Sequence, residues 1–265
     1  MAKTSFYKYE GLGNDFILIS KNPCLTPQQV KNLCDRHLGI GADGLIFVFF
    51  SETSPLTPLH QVERGIKSDL PSPLGGEGGT LSVTGEVHMR IFNANGSIAE
   101  MCGNGIRCVA QWLHDQGHSV TVIQTDAGPK TCTYESGQWS IDMGIAQITG
   151  NRVSMGNPHL VFEGDVQTEL IDPSVNTEFV QIKNLHEINI RVFERGVGET
   201  EACGTGACAS VAILVSQNQL PENEEITVHL KGGNLYITAR PTTHGLQIQM
   251  KGPARYVFEG EVFVE

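Results

Sequence analysis

The chain has 265 residues, 40% of them hydrophobic, 18% charged and 30 of them glycine. That is one or two globular domains with enough length to bury a core without metals or disulfides, and it excludes a disordered or fibrous protein. The 18 basic and 29 acidic residues leave a net charge of −11 with no Lys/Arg cluster, which argues against nucleic acid and anionic membrane as partners.

Short or alternating apolar runs between turn residues predict strands, in chain order, at Ser5–Tyr9, Phe16–Ser20, Leu45–Phe50, Val87–Asn93, Val120–Thr125, Thr131–Ser136, Gln138–Met143, His159–Phe162, Phe179–Ile182, Glu187–Glu194, Ile226–Leu230, Leu235–Ala239, Gly245–Met250 and Ala254–Phe263. Three stretches read as helices: Pro27–His37 behind Thr26 as N-cap, then Gly105–Gln116 and Gly206–Gln217, each after a glycine-rich turn. Many strands and few helices predict an α+β chain of largely antiparallel sheets, each covering a central helix. Residues 53–85 carry four prolines and six glycines without apolar periodicity, and read as an inserted, disordered loop.

No apolar run approaches the roughly 18 residues of a membrane span, and the first residues lack the apolar core of a secretory signal. The seven cysteines (24, 34, 102, 108, 132, 203 and 208) are odd in number and contain no Cys-x-x-Cys pair. This points away from zinc and from a secreted disulfide framework, toward a reducing cytoplasm.

The most informative feature is a repeat. Arg90-Ile-Phe-Asn93 precedes Glu100-Met-Cys-Gly-Asn-Gly105, and Arg191-Val-Phe-Glu194 precedes Glu201-Ala-Cys-Gly-Thr-Gly206. Arg, Phe, Glu, Cys, Gly and Gly recur at one constant offset, which suggests duplication and two similar halves facing each other across a cleft. Cys102 and Cys203 each precede a helix, whose free N–H groups favour thiolate over thiol. The intervening glycines let backbone N–H groups converge on a carboxylate. Two opposed thiols, one ionised, can invert a stereocentre by removing a proton from one face and delivering one to the other.

A phosphate cradle is disfavoured because neither copy has the Walker or Rossmann spacing. Cys108 and Cys208 fall inside the helices and read as core. Cys24, Cys34 and Cys132 read as packing. Asn14 and Asn157 sit in turns, His159 follows one, and Glu194-Arg195 ends a strand. Each is compatible with a purely structural role, but Asn93 and Glu194 occupy equivalent places nine residues before their cysteines. A redox or metal protein using Cys102, Cys108, Cys203 and Cys208 is the competing reading.

At these residues the sequence resembles diaminopimelate epimerase, a racemase family that uses no pyridoxal phosphate. The resemblance rests on Gly11-Leu-Gly-Asn-Asp-Phe16, Gly39-Ile-Gly-Ala-Asp-Gly44, Arg90-Ile-Phe-Asn-Ala-Asn-Gly96, Met101-Cys-Gly-Asn-Gly105, Met155-Gly-Asn-Pro-His159 and the run from Glu194 to Cys208. It covers nearly the whole chain outside 51–86. It implies that Cys102 and Cys203 are the acid/base thiols and that His159 and Glu194 tune them. It also implies substrate contacts from Asn14, Asn93, Asn157, Asn176, Glu194 and Arg195, with backbone N–H groups at Gly103-Asn104 and Gly204-Thr205 holding the carboxylate at the reacting carbon.

The implied reaction interconverts LL- and meso-diaminopimelate on the route to lysine and peptidoglycan precursors. No cofactor or metal is implied, and a homodimer is the protein partner considered. The implied fold is two pseudo-symmetric domains, 1–118 with 254–265, and 119–253, the C-terminal strand crossing back to the first. Some family members carry Gln where Gly44 stands. The 53–85 segment lies outside the family pattern, and Asp142 to Ser154 is shorter than that pattern. Proline-racemase-like and phenazine-pathway-like isomerases are the nearest alternatives. The paired thiols argue against the second, and Glu194-Arg195, suited to a distal amino-acid head, argues against the first.

Overall fold

The computed structural model of the chain describes residues 2–20, 25–52, 85–119 and 121–264. Cys24, Val120 and all of the expected 53–85 loop except Gly85 lie outside the described residues. The chain opens with β1 (Ala2–Gly11), β2 (Asn14–Ile19), α1 (Pro27–Cys34), β3 (Gly44–Glu52), β4 (Gly85–Asn93), β5 (Ile98–Ala99), α2 (Gly103–Asp115), β6 (Val122–Thr125) and β7 (Gly128–Glu135). The long β8 (Gln138–Thr149) follows. Then come β9 (Arg152–Ser154), β10 (Pro158–Glu163), β11 (Asn176–Asn184), β12 (Glu187–Glu194), β13 (Gly198–Thr200), α3 (Gly204–Ser216), β14 (Glu225–Leu230), β15 (Gly233–Thr242), β16 (Gly245–Gly252) and β17 (Arg255–Val264).

The sequence repeat reappears as a repeat of strand pairing. In the first copy β1–β2 is antiparallel, β2–β3 parallel, β3–β4 and β4–β5 antiparallel, β4–β6 parallel and β6–β7 antiparallel. The same succession runs through β9–β10, β10–β11, β11–β12, β12–β13, β12–β14 and β14–β15. β8 joins the copies by pairing with β7, β9 and β16, and β17 returns to pair with β1. The architecture is α+β and mostly sheet.

Every expected strand is present. The short strands β5, β9 and β13 are additional, each only two or three residues long. Thr26 caps α1 through a capping box with Gln29. That helix stops at Cys34, short of the expected His37, because Asp35 is extended and its Oδ1 accepts the N–H groups of His37 and Leu38, both at 2.8 Å. α2 and α3 start two residues earlier than expected, directly after the cysteines.

One continuous apolar cluster surrounds both later helices. It takes Ile106, Val109 and Leu113 from α2, Val211 and Leu214 from α3, and Ile46, Met89, Ile190, Ile237 and Met250 from the strands around them. α3 is buried on every side from Gly204 to Val215, as its unbroken apolar sequence requires. A smaller cluster lies under α1, around Val30, Leu33 and Phe47.

Candidate active site

Cys102 and Cys203 occupy the same position in their respective helices. Each is the N-cap, with extended φ/ψ of −142°/117° and −124°/112°. Each sulfur accepts the backbone N–H three residues on, from Gly105 and Gly206, at 3.4 Å in both cases. A thiol thereby takes the place of the usual capping hydroxyl or carboxylate. The two helix starts touch. A Cβ on Gly103 would lie 3.3 Å from the Gly204 Cα, and one on Gly204 would lie 3.2 Å from the Gly103 Cα. Both glycines are therefore needed for the close approach, which brings the first free N–H groups of both helices to one place.

Behind Cys203 runs a chain of polar groups, buried except for the half-buried Asn157. Its Sγ lies 3.4 Å from Thr205 Oγ1, which accepts from Asn157 Nδ2 at 3.3 Å. Asn157 Oδ1 is 3.1 Å from His159 Nε2, and His159 Nδ1 is 2.7 Å from Glu178 Oε1. The side chains of His159 and Glu178 are 0% exposed, and Glu178 Oε2 is buried with no partner among the described residues. Glu178 escaped sequence reasoning. Its run from Val175 to Val180 mixes Asn176, Thr177 and Glu178 with apolar residues and carries no apolar period that would mark the acid as buried, yet all six residues are buried. Glu178 also accounts for Gly206, where a Cβ would come within 2.6 Å of its Oε1.

On the Cys102 side, Asn14 Oδ1 lies 3.9 Å from the sulfur and accepts from Asn104 Nδ2 at 3.3 Å. Asn104 Nδ2 also donates to the carbonyl of Ala202, the residue before Cys203, at 3.0 Å. Asn14 Nδ2 donates to Asp43 Oδ2 at 3.0 Å, and Arg36 clamps Asp43 to Asp15 with N–O distances of 2.7 Å to each. Burial pushes the Asp15 carboxyl up, but Arg36 and Lys8 outweigh it and bring it down to about 2.

The remaining expected residues gather less tightly. Asn176 opens β11, and its Oδ1 accepts the Arg195 backbone N–H at 2.9 Å, while the Arg195 side chain is exposed. Glu194 Oε1 accepts from Thr200 Oγ1 at 2.7 Å, and its charge reaches both thiols. Asn93 is exposed at the end of β4, with Nδ2 donating to Ser97 Oγ at 2.9 Å. Gly44 pairs with Phe16 as Asn176 pairs with His159, so it holds in the first copy the place of Asn176 in the second. A Cβ there would lie 2.7 Å from the Phe92 carbonyl, which leaves no space for a side chain.

Electrostatics correct one expectation. Burial pushes the Cys102 thiol up to about 11, with Glu194 adding to the rise and the N–H groups of Gly105 and Asn104, together with Arg107, opposing it. Burial, then Glu194 and Glu178, raises Cys203 as well, against Thr205 and the Gly206 N–H. Burial likewise raises Glu194 and Glu178. The helix starts pull toward thiolate as the sequence suggested, but desolvation is larger, so the thiol is the resting form. All six described cysteines are unpaired thiols. Among the described residues no three His, Cys, Asp or Glu side chains form a group that could hold a metal ion.

A family profile for diaminopimelate epimerase matches residues 76–149 and 152–257. The diaminopimelate epimerase of Synechocystis sp. (strain ATCC 27184 / PCC 6803 / Kazusa) is 39% identical, over 97% of this chain and 98% of its own. Diaminopimelate epimerase 1 of Nostoc sp. (strain PCC 7120 / SAG 25.82 / UTEX 2576) is 37% identical, over 97% and 99%. Among solved structures, a Bacillus anthracis phenazine biosynthesis protein of the PhzF family superposes with a TM-score of 0.72 at 16% identity, covering 100% of both chains. A probable proline racemase from Agrobacterium radiobacter K84 gives 0.65 at 12% identity, over 99% of this chain and 93% of that one. At those identities the structural likenesses speak for the fold alone.

Proposed function

The chain belongs to the diaminopimelate epimerase family, and we propose that it interconverts LL- and meso-2,6-diaminopimelate by exchanging one α-proton between Cys102 and Cys203. The observation that carries this reading is the pair of sulfurs capping two helices whose first residues, Gly103 and Gly204, are in contact. The thiolate of one cysteine takes the α-proton, and the C–H electron pair passes into the adjacent carboxylate. The thiol of the other cysteine returns a proton to the opposite face, so the centre inverts and the two sulfurs exchange protonation states.

The N–H groups at Gly103-Asn104 and Gly204-Thr205 hold that carboxylate, where the charge develops. Asn14, Asn93, Asn157, Asn176, Glu194 and Arg195 bind the rest of the substrate, Arg195 pairing with the distal carboxylate and Glu194 with an ammonium. His159 and Glu194 tune the thiols. The proton transfer itself calls on no cofactor.

The matched pairing of β1–β7 and β9–β15 supports two pseudo-symmetric domains, 1–118 with 254–265, and 119–253, with the site between them. The cytoplasm suits free thiols, and among the described residues no helix is long and apolar enough to cross a membrane. A second copy of the chain is the proposed partner. β17 pairs only with β1 among the described strands and exposes Tyr256, Val257, Phe258 and Phe263, an edge suited to strand addition. Sedimentation equilibrium at micromolar concentration reads a dimer in this account, and a monomer throughout contradicts it.

The activity test is conversion of LL-diaminopimelate by wild type, Cys102→Ser and Cys203→Ser. Wild type forms the meso isomer, and each variant loses roughly 10²–10⁴ in kcat while keeping its fold. Near-wild-type turnover by either variant rules out the two-thiol assignment.

A further inference from the structure

Arg107 lies on α2, five residues after Cys102, and is completely buried, at 0% exposure. Its guanidinium donates from Nη1 to the Gly103 carbonyl at 3.1 Å, from Nη2 to Asn104 Oδ1 at 2.9 Å and from Nε to the Pro253 carbonyl at 3.1 Å, and Nη1 lies 3.5 Å from Met250 Sδ. All four partners are neutral. Glu10, the acid whose charge reaches it, is engaged with the Gly13 N–H and with Arg255. A cation taken out of water costs several kcal/mol even after relaxation, so its place in the core needs a reason.

The chain builds a pocket for this group. A Cβ on Gly11 would lie 3.2 Å from Arg107 Nη2, and one on Gly252 would lie 3.3 Å from Nε. By the repeat offset the counterpart of Arg107 is Cys208, also wholly buried and within reach of the Arg107 charge.

A guanidinium only donates. Asn104 Oδ1 must therefore face Arg107, which turns Asn104 Nδ2 toward Ala202 beside Cys203 and toward Asn14 beside Cys102. We propose that Arg107 is a positioning residue for the two-thiol site: through Asn104 it holds the Cys102 and Cys203 turns against each other, and its charge, which has no acidic partner among the described residues, stands as counter-ion to the thiolate form of Cys102. This rests on the reading of Cys102 as an acid/base group. The groups facing that sulfur are Arg107 and the Gly105 and Asn104 N–H groups from α2, Asn14 from β2, and Glu194 from β12, which opposes the thiolate.

The test compares wild type, Arg107→Met and Arg107→Lys. Iodoacetamide labelling of Cys102 and Cys203 is followed against pH by peptide mass spectrometry, beside kcat on LL-diaminopimelate. Arg107→Met shifts the Cys102 labelling midpoint upward, with a smaller change at Cys203. Arg107→Lys keeps the charge and restores the Cys102 midpoint. It remains about tenfold or more slower in kcat, because an ammonium cannot span Asn104, Gly103 and Pro253 at once.

An unmoved Cys102 midpoint in folded Arg107→Met overturns the proposal, as does an equal upward shift in Arg107→Lys. Should Arg107→Met fail to fold, Arg107→Lys decides alone, and wild-type kcat there overturns the brace. Labelling needs no turnover. A wild type that leaves diaminopimelate unchanged while the labelling shifts appear therefore fails the proposed reaction and not the role of the charge.

Discussion

Cys102 and Cys203 sit under two opposed influences, helix-start N–H groups that favour thiolate and burial that favours thiol, and burial prevails at both. Thiolate is therefore the minority form of both sulfurs at neutral pH. Activity on LL-diaminopimelate should climb as pH rises from about 7 to about 9, because each step populates more thiolate, and should fall only where both thiols ionise. A kcat/KM profile flat or declining across that range would be incompatible with thiol bases.

Gly206 offers a second residue-scale check. An Ala Cβ there meets Glu178 Oε1 at 2.6 Å, so Gly206→Ala must push Glu178 away from His159. The expected costs are about 1–3 kcal/mol of stability and a clear loss of kcat, read by chemical denaturation and by assay. A silent substitution would remove Glu178 from the account. The cysteines were legible because they recur in matched contexts at a constant offset. Glu178 and Arg107 were not, because a single charged residue in a strand or helix looks the same in sequence whether it lies on an exposed face or in a pocket prepared by distant glycines such as Gly206, Gly11 and Gly252.

For the elements, the sequence carried type and order better than ends. α2 and α3 were expected at the second glycine of each Cys-Gly-x-Gly, with the residues before it read as a glycine-rich turn. They begin at Gly103 and Gly204, where packing of one helix start on the other requires the absence of a Cβ. The short strands β5 and β13 lie in the turns leading to the cysteines and are too brief to show alternation.

β3 and β4 pair antiparallel out to Glu52 opposite Gly85. Their ends are therefore adjacent, and residues 53–84 can be replaced by an Asn-Gly turn of the type that joins two-residue hairpins. The shortened protein should keep kcat within about twofold, since closing a shorter loop costs less entropy. A folded product without activity would mean that the segment serves catalysis.

Across the whole molecule, two copies of one strand–helix pattern meet at Gly103 and Gly204, share β8, and are tied by β17 returning to β1. The offset between the copies was readable from six residues. What the offset could not give is how the copies depart from symmetry. Arg107 stands in the first copy where Cys208 stands in the second, and Gly44 is bare where Asn176 carries an amide. Those departures suit a substrate whose two ends differ once one α-carbon is seated.

Opposed protonation of a single carbon is the claim on which this depends, and early-time turnover of LL-diaminopimelate in D₂O tests it most directly. Two bases on opposite faces predict that the first meso product carries deuterium at the inverted α-carbon while recovered LL substrate is still protiated. Deuterium entering both isomers equally from the outset, or meso product formed without solvent deuterium, would contradict it.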